Sequence, residues 1–120
     1  MDFEYCGTYP RIWWWKGGLW LIHDFLKNAT HLVNNRQPDY ETARGFVMAA
    51  NSALRSFADQ TDHCDAKAAF IEGVAATDAV LVALDGDANG TVDKGTVLDA
   101  LRFSISIVIK IGKITITISW

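Results

Sequence analysis

The chain has 120 residues, half of them hydrophobic, and a net charge of -3; it can build one modest core, and it is too apolar to stay disordered. The slightly acidic balance leaves no footprint for nucleic acid. No run of 18 uncharged apolar residues exists to span a membrane as a helix, because Lys16, Asp78, Lys110 and Lys113 interrupt the best candidates. With Asp2 and Glu4 and no small-residue cleavage site, the first residues do not read as a signal peptide, which slightly favours an intracellular address.

Residues 1–18 form an aromatic arm with Phe3, Tyr5, Tyr9 and Ile12 ahead of Trp13, Trp14 and Trp15, and Lys16-Gly17-Gly18 is expected to break the backbone after them. Three adjacent tryptophans cannot share one face of a helix or strand, so at least one belongs at a surface, an interface or a lipid headgroup layer. The arm is therefore a candidate partner-binding segment, with a fold-back lid over the core as the alternative.

Leu19, Ile22, Leu26, Ala29 and Val33 advance by three or four residues and predict a first helix over 19–33 with one apolar side. Pro38 suits the start of a second helix over 38–58, and Asp39 and Glu41 suit its positive end. Its buried side is expected to be Phe46, Ala50, Leu54 and Phe57, with Ala43, Ala49 and Ala53 allowing close approach. A third helix begins with Asp62 as cap and carries Phe70, Val74, Leu81 and Leu84 inward. His63 and Cys64 at its start read as a capping turn and not as a metal site, and His23 and His31 lie too far apart on one helix to share an ion. Cys6 and Cys64 either form one bridge, which would stabilise by roughly 3 to 5 kcal/mol, or stay as two buried thiols.

After the third helix comes Asp85-Gly86-Asp87-Ala88-Asn89-Gly90-Thr91-Val92-Asp93-Lys94-Gly95-Thr96, with side-chain oxygens at alternate positions up to a glycine. This stretch resembles the twelve-residue loop of an EF-hand. Asp85, Asp87, Asn89 and Asp93 match liganding positions 1, 3, 5 and 9, Gly90 matches the turn glycine at 6, and Thr91 offers a carbonyl at 7. Thr96 stands where the family places a bidentate glutamate, so the resemblance implies a weak calcium site completed by a partner. It covers about residues 74–103, with Leu81 and Leu84 on the entering helix and Val97, Ala100 and Leu101 on the exiting one. The competing reading is an Asp-Gly and Asn-Gly turn that needs no metal.

From Phe103 onward Ile105, Ile107, Ile109 and Ile111 alternate with mostly polar residues, and the alternation resumes after Gly112-Lys113 at Ile114, Ile116, Ile118 and Trp120. The pattern predicts a β-hairpin over 103–120, turning at Gly112-Lys113, with every isoleucine on one face. A lone hairpin is marginal, so that face needs the helices of this chain, a second copy, or lipid to cover it.

The expected fold is thus mainly α: a small helical domain of three to four helices over 19–102, containing an EF-hand-like unit, and a C-terminal hairpin. No catalytic motif is present, so the chain reads as a non-enzymatic calcium-binding protein that docks into a larger assembly or on another copy of itself. Trp13, Trp14, Trp15, Ile105, Ile107, Ile109, Ile116, Ile118 and Trp120 are the expected contact residues. The alternative is a membrane-active protein that inserts the hairpin into lipid.

Overall fold

The computed structural model describes residues 16–61, 64–86 and 88–118, and the side chains of 18–61, 64–86 and 88–114. Four helices follow one another: α1 (Lys16–Val33), α2 (Tyr40–Gln60), α3 (Cys64–Asp85) and α4 (Lys94–Ile118). Short connections make each helix run antiparallel to the one before it. Each packs on its chain neighbours and α1 also packs on α4, which closes an up-down-up-down bundle around a single apolar core.

In α1 the buried apolar residues are the five that the spacing predicts: Leu19, Ile22, Leu26, Ala29 and Val33. Lys16-Gly17-Gly18, expected to break the backbone after the arm, are the first residues of α1, and the arm before them lies outside the described residues. The glycine at 18 has a packing reason, because a Cβ there would stand 2.4 Å from Cζ of Phe57 on α2.

On α2 the buried side comprises Ala43, Val47, Ala50, Asn51, Leu54 and Ala58. Phe46 and Phe57 sit at its edges, partly buried, and Ala49 faces out, so the true stripe is rotated by about one residue from the expected one. Asp39 caps the helix: Thr42 donates its backbone N–H to Oδ1 at 3.0 Å and its hydroxyl to Oδ2 at 2.7 Å. First the hydroxyl and then the backbone N–H hold the Asp39 carboxyl below its ordinary 3.8. A folded-state pKa below the unfolded one stabilises above the unfolded value, and that contribution disappears as pH falls through the folded value. The expected result is an Asp39→Ala variant that melts below the parent near neutral pH, with the gap closing once the pH drops under about 3.8; thermal unfolding at the two pH values reads it.

Along α3 the inward residues include Ala66, Ala69, Phe70, Gly73, Ala76 and Val80. Small side chains at this seam bring α3 close to α2 and α4, and a Cβ on Gly73 would already press on both δ-carbons of Leu54 at 3.3 Å. Of the expected inward residues, Phe70 and Leu84 are buried, while Val74 and Leu81 are half-buried. Asp62, the expected cap, lies outside the described residues. Cys64, the first residue of α3, is disulfide-bonded, and the chain's other cysteine, Cys6, also lies outside the described residues.

The C-terminal hairpin is the expectation that the fold overturns. α4 runs without interruption from Lys94 to Ile118, through the supposed turn at Gly112-Lys113, and no strand occurs among the described residues. Residues four apart share a face at both periods, so Ile107 and Ile111 fit a helix as well as they fit a strand. In the helix they join Val97, Leu101, Ser104 and Val108 on the buried side, whereas Ile105 is half-buried and Ile109 is 48% exposed. Once α4 has started at Lys94, each added residue gains one hydrogen bond without a new nucleus. Packing of this face on α1 and α3 outweighs the few tenths of a kcal/mol that each β-branched residue costs. The serines on either side of Ile105 bond backward within the helix, Ser104 Oγ to the Ala100 carbonyl at 2.9 Å and Ser106 Oγ to that of Phe103 at 2.6 Å.

Candidate functional site

The loop between α3 and α4 is shaped by two glycines. Gly86 has φ +83° and directly follows α3, where a left-handed residue closes a helix; its N–H reaches the Ala83 carbonyl at 3.2 Å. A Cβ on Gly86 would come within 2.8 Å of the Gly90 carbonyl carbon and the Thr91 oxygen, so the loop folds back tightly on its own start. Gly90, at φ +76°, makes the second reversal.

The far end is a helix cap. Asp93 Oδ1 accepts the Gly95 N–H at 3.1 Å and Oδ2 accepts the Thr96 hydroxyl at 2.7 Å, while its backbone carbonyl takes the Val97 N–H at 3.1 Å. The bonds to the side-chain oxygens, led by the Thr96 hydroxyl and then the Gly95 N–H, lower the Asp93 pKa and favour the ionised carboxylate. At the near end Asp85 pairs with Arg44 of α2. Lys94 donates to the Asn35 carbonyl at 3.1 Å and ties the start of α4 to the α1–α2 connection, and Val92 packs, partly buried, on the edge of the core.

Of the residues expected to ligate calcium, Asp85 closes α3 and turns to Arg44, whereas Asp93 and Thr96 bond to each other at the start of α4. Asn89 and Thr91 are exposed on the loop, and Asp87 lies outside the described residues. No three His, Cys, Asp or Glu side chains gather closely enough for a metal ion among the described residues. The segment thus turns at two glycines and has a carboxylate at each mouth, and both carboxylates already have partners within the chain. An Asp just ahead of a predicted helix is a cap signal, but a calcium loop places an Asp there too, and the residues alone did not decide between them. Arg44, 41 positions from Asp85, left no sequence signal.

A second polar group, also missed, lies between α2 and α3. The buried Asn51 amide donates to Thr77 Oγ1 at 2.8 Å and to Asp78 Oδ1 at 2.9 Å, and its oxygen accepts from Arg55 Nε at 3.0 Å. Arg55 closes the ring with both Asp78 oxygens at 3.0 Å. With its donors and acceptors matched to one another, the cluster fixes the register of α2 against α3 and holds no activated nucleophile.

Of the expected contact residues, Ile107 is in the core, Ile105 is half-buried, and Ile109 alone is open to solvent. Trp13, Trp14, Trp15 and Trp120, with the side chains of Ile116 and Ile118, fall outside the described set. Among the described residues, no helix is long and apolar enough to cross a membrane. No protein-family model matches the chain, and neither does any curated protein or solved structure.

Proposed function

We propose that this chain is a non-catalytic helical interaction protein whose α3–α4 loop takes up calcium weakly. The observation that supports the ion is the loop's construction: a carboxylate at each mouth, Asp85 and Asp93, around a glycine at the sixth position with φ +76°, the backbone that a calcium loop needs there. Asp85, Asp87, Asn89 and the Thr91 carbonyl would supply oxygens, with Asp93 reaching the ion through water from its capping position. Thr96 adds no second carboxylate oxygen, which sets the affinity at the weak end, about 10⁻⁴ to 10⁻³ M. A membrane role through an inserted hairpin has lost its element, since those residues belong to α4.

An ion must displace Arg44 from Asp85. Their side chains are 41% and 59% exposed, and such surface pairs contribute about 1 kcal/mol or less. Calorimetric titration with calcium and magnesium is expected to give heat for calcium in the parent. Binding should tighten by up to about fivefold in Arg44→Ala and vanish in Asp85→Ala with Asp87→Ala. A parent and an Arg44→Ala variant that are both silent would remove the ion from this reading.

A further inference from the structure

We propose that the outer face of α3 is where two copies of this chain meet, antiparallel, about Ala75. The inference rests on the reading of the chain as an interaction protein and not on an ion in the loop. A helix that is apolar on every side belongs in an interior, and α3 is apolar on both sides. Opposite its buried face, Ala68, Ile71, Ala75, Ala79 and Val82 all point to solvent. They advance by three or four residues, so they form one continuous stripe. Ile71 is 53% exposed and Val82 69%. Between Asp65 and Asp85 the charged residues of α3 are few: Glu72 is exposed, its side chain about half open to solvent, and Lys67 and Asp78 are half-buried. The remaining exposed large apolar residues, such as Trp20, Met48 and Phe103, are spread over the other helices.

The order of sizes along the stripe selects the occupant. Reversing the helix about Ala75 sets Ile71 in the same layer as the second copy's Ala79, and Val82 in the layer of its Ala68. Ala75 then meets itself on the two-fold axis, where small side chains let the backbones approach. The layers on either side of the axis each combine one large with one small residue, which is how a self-complementary contact fills its volume. A parallel arrangement would place Ile71 against Ile71 and leave the alanine layers underfilled.

Charge points the same way. Arg44 pairs with Asp85, Arg55 with Asp78, and Lys110 with Glu72, so the carboxylates beside the stripe are already matched by cations from α2 and α4. Two copies bring balanced flanks together and drive no unpaired charge into the contact, whereas a basic partner helix would first have to displace those three cations. A contact confined to one helix of 22 residues, about 33 Å long, belongs at the small end of protein interfaces. The dimer is therefore reversible and depends on concentration.

Sedimentation velocity of the full chain over a wide concentration range tests the proposal, with circular dichroism to check that each variant is folded. The parent should shift from monomer to dimer, and Ala75→Glu or Ala79→Glu should raise the dissociation constant at least about tenfold. Under mild oxidation Ala75→Cys should form a covalent dimer, while Met48→Cys, exposed on α2, should not. A parent that stays monomeric throughout, glutamate variants that associate as the parent does, or equal cross-linking at both positions would overturn the proposal. Calcium heat retained in a monomeric parent would sink this surface and leave the ion reading standing; association without calcium heat would do the reverse.

Discussion

Phe70→Ala is expected to destabilise the bundle by about 3 to 5 kcal/mol, the largest loss from any single truncation among the described residues. Among the described residues Phe70 is the largest fully buried side chain, and its ring meets Phe57 edge-on with centroids 5.7 Å apart. Removing it takes away that aromatic contact and leaves a void that the surrounding helices only partly refill. Against the roughly 5 to 15 kcal/mol that holds a small domain together, such a loss moves the denaturation midpoint far down. Urea titration of the two proteins reads it, and an unchanged slope would confirm that the native state was weakened and the unfolded state left alone. Ile71, the next residue in sequence, gives the internal comparison. It faces solvent, so Ile71→Ala should change the stability of dilute monomer by no more than about 0.5 kcal/mol while still weakening association. Equal losses at 70 and 71 would mean that α3 is turned differently from the orientation described above.

That contrast also explains what could be read from the residues alone. α1 was legible because Leu19, Ile22, Leu26, Ala29 and Val33 keep one helical period and its charged residues fall off that face, so a single period fits even though Trp20 and Leu21 are exposed. On α2 the two phenylalanines drew the stripe toward themselves, although the deeper positions belong to Val47 and to the alanines at 43 and 58. α3 has apolar residues all round, and periodicity could not tell the face toward the core from the one toward solvent. Only the packing of α2 and α4 against Phe70 and Val80 makes the outward stripe visible as something left over.

At the loop the positions of the oxygens were visible, but what each oxygen does was not. An aspartate at the end of a calcium loop and an aspartate capping a helix have the same neighbours in sequence, and here Asp93 has taken the capping bonds. The partner of Asp85 comes from α2, a contact made only when the bundle closes. An ion in this loop would have to be favoured over contacts that the fold already supplies, and for that reason the expected affinity is low and responds to Arg44.

The C-terminal segment permits the sharpest discrimination, because the two readings of residues 103–118 assign opposite roles to Gly112. In a hairpin it would be the turn, where its neighbours are strands and a proline near the corner is tolerable. In α4 it is an interior helical residue, half-buried, with open space around the position of a Cβ. Gly112→Pro should therefore remove a backbone hydrogen bond, clash with the preceding turn, and cost about 3 kcal/mol or more. Gly112→Ala should be tolerated and should stabilise by up to about 1 kcal/mol through helix propensity. The pair is informative because its signs differ: a turn glycine with positive φ would lose stability on substitution by alanine, and an interior helical glycine gains it. Chemical denaturation of the two variants beside the parent, with helicity followed by circular dichroism, measures both. Since Ile111 is fully buried immediately before this position, the proline should also loosen the last turns of α4 from α1, seen as faster amide exchange in both helices. A stable Gly112→Pro protein with unchanged helicity would return these residues to some other conformation, and with it the account of why Ile107 and Ile111 face inward.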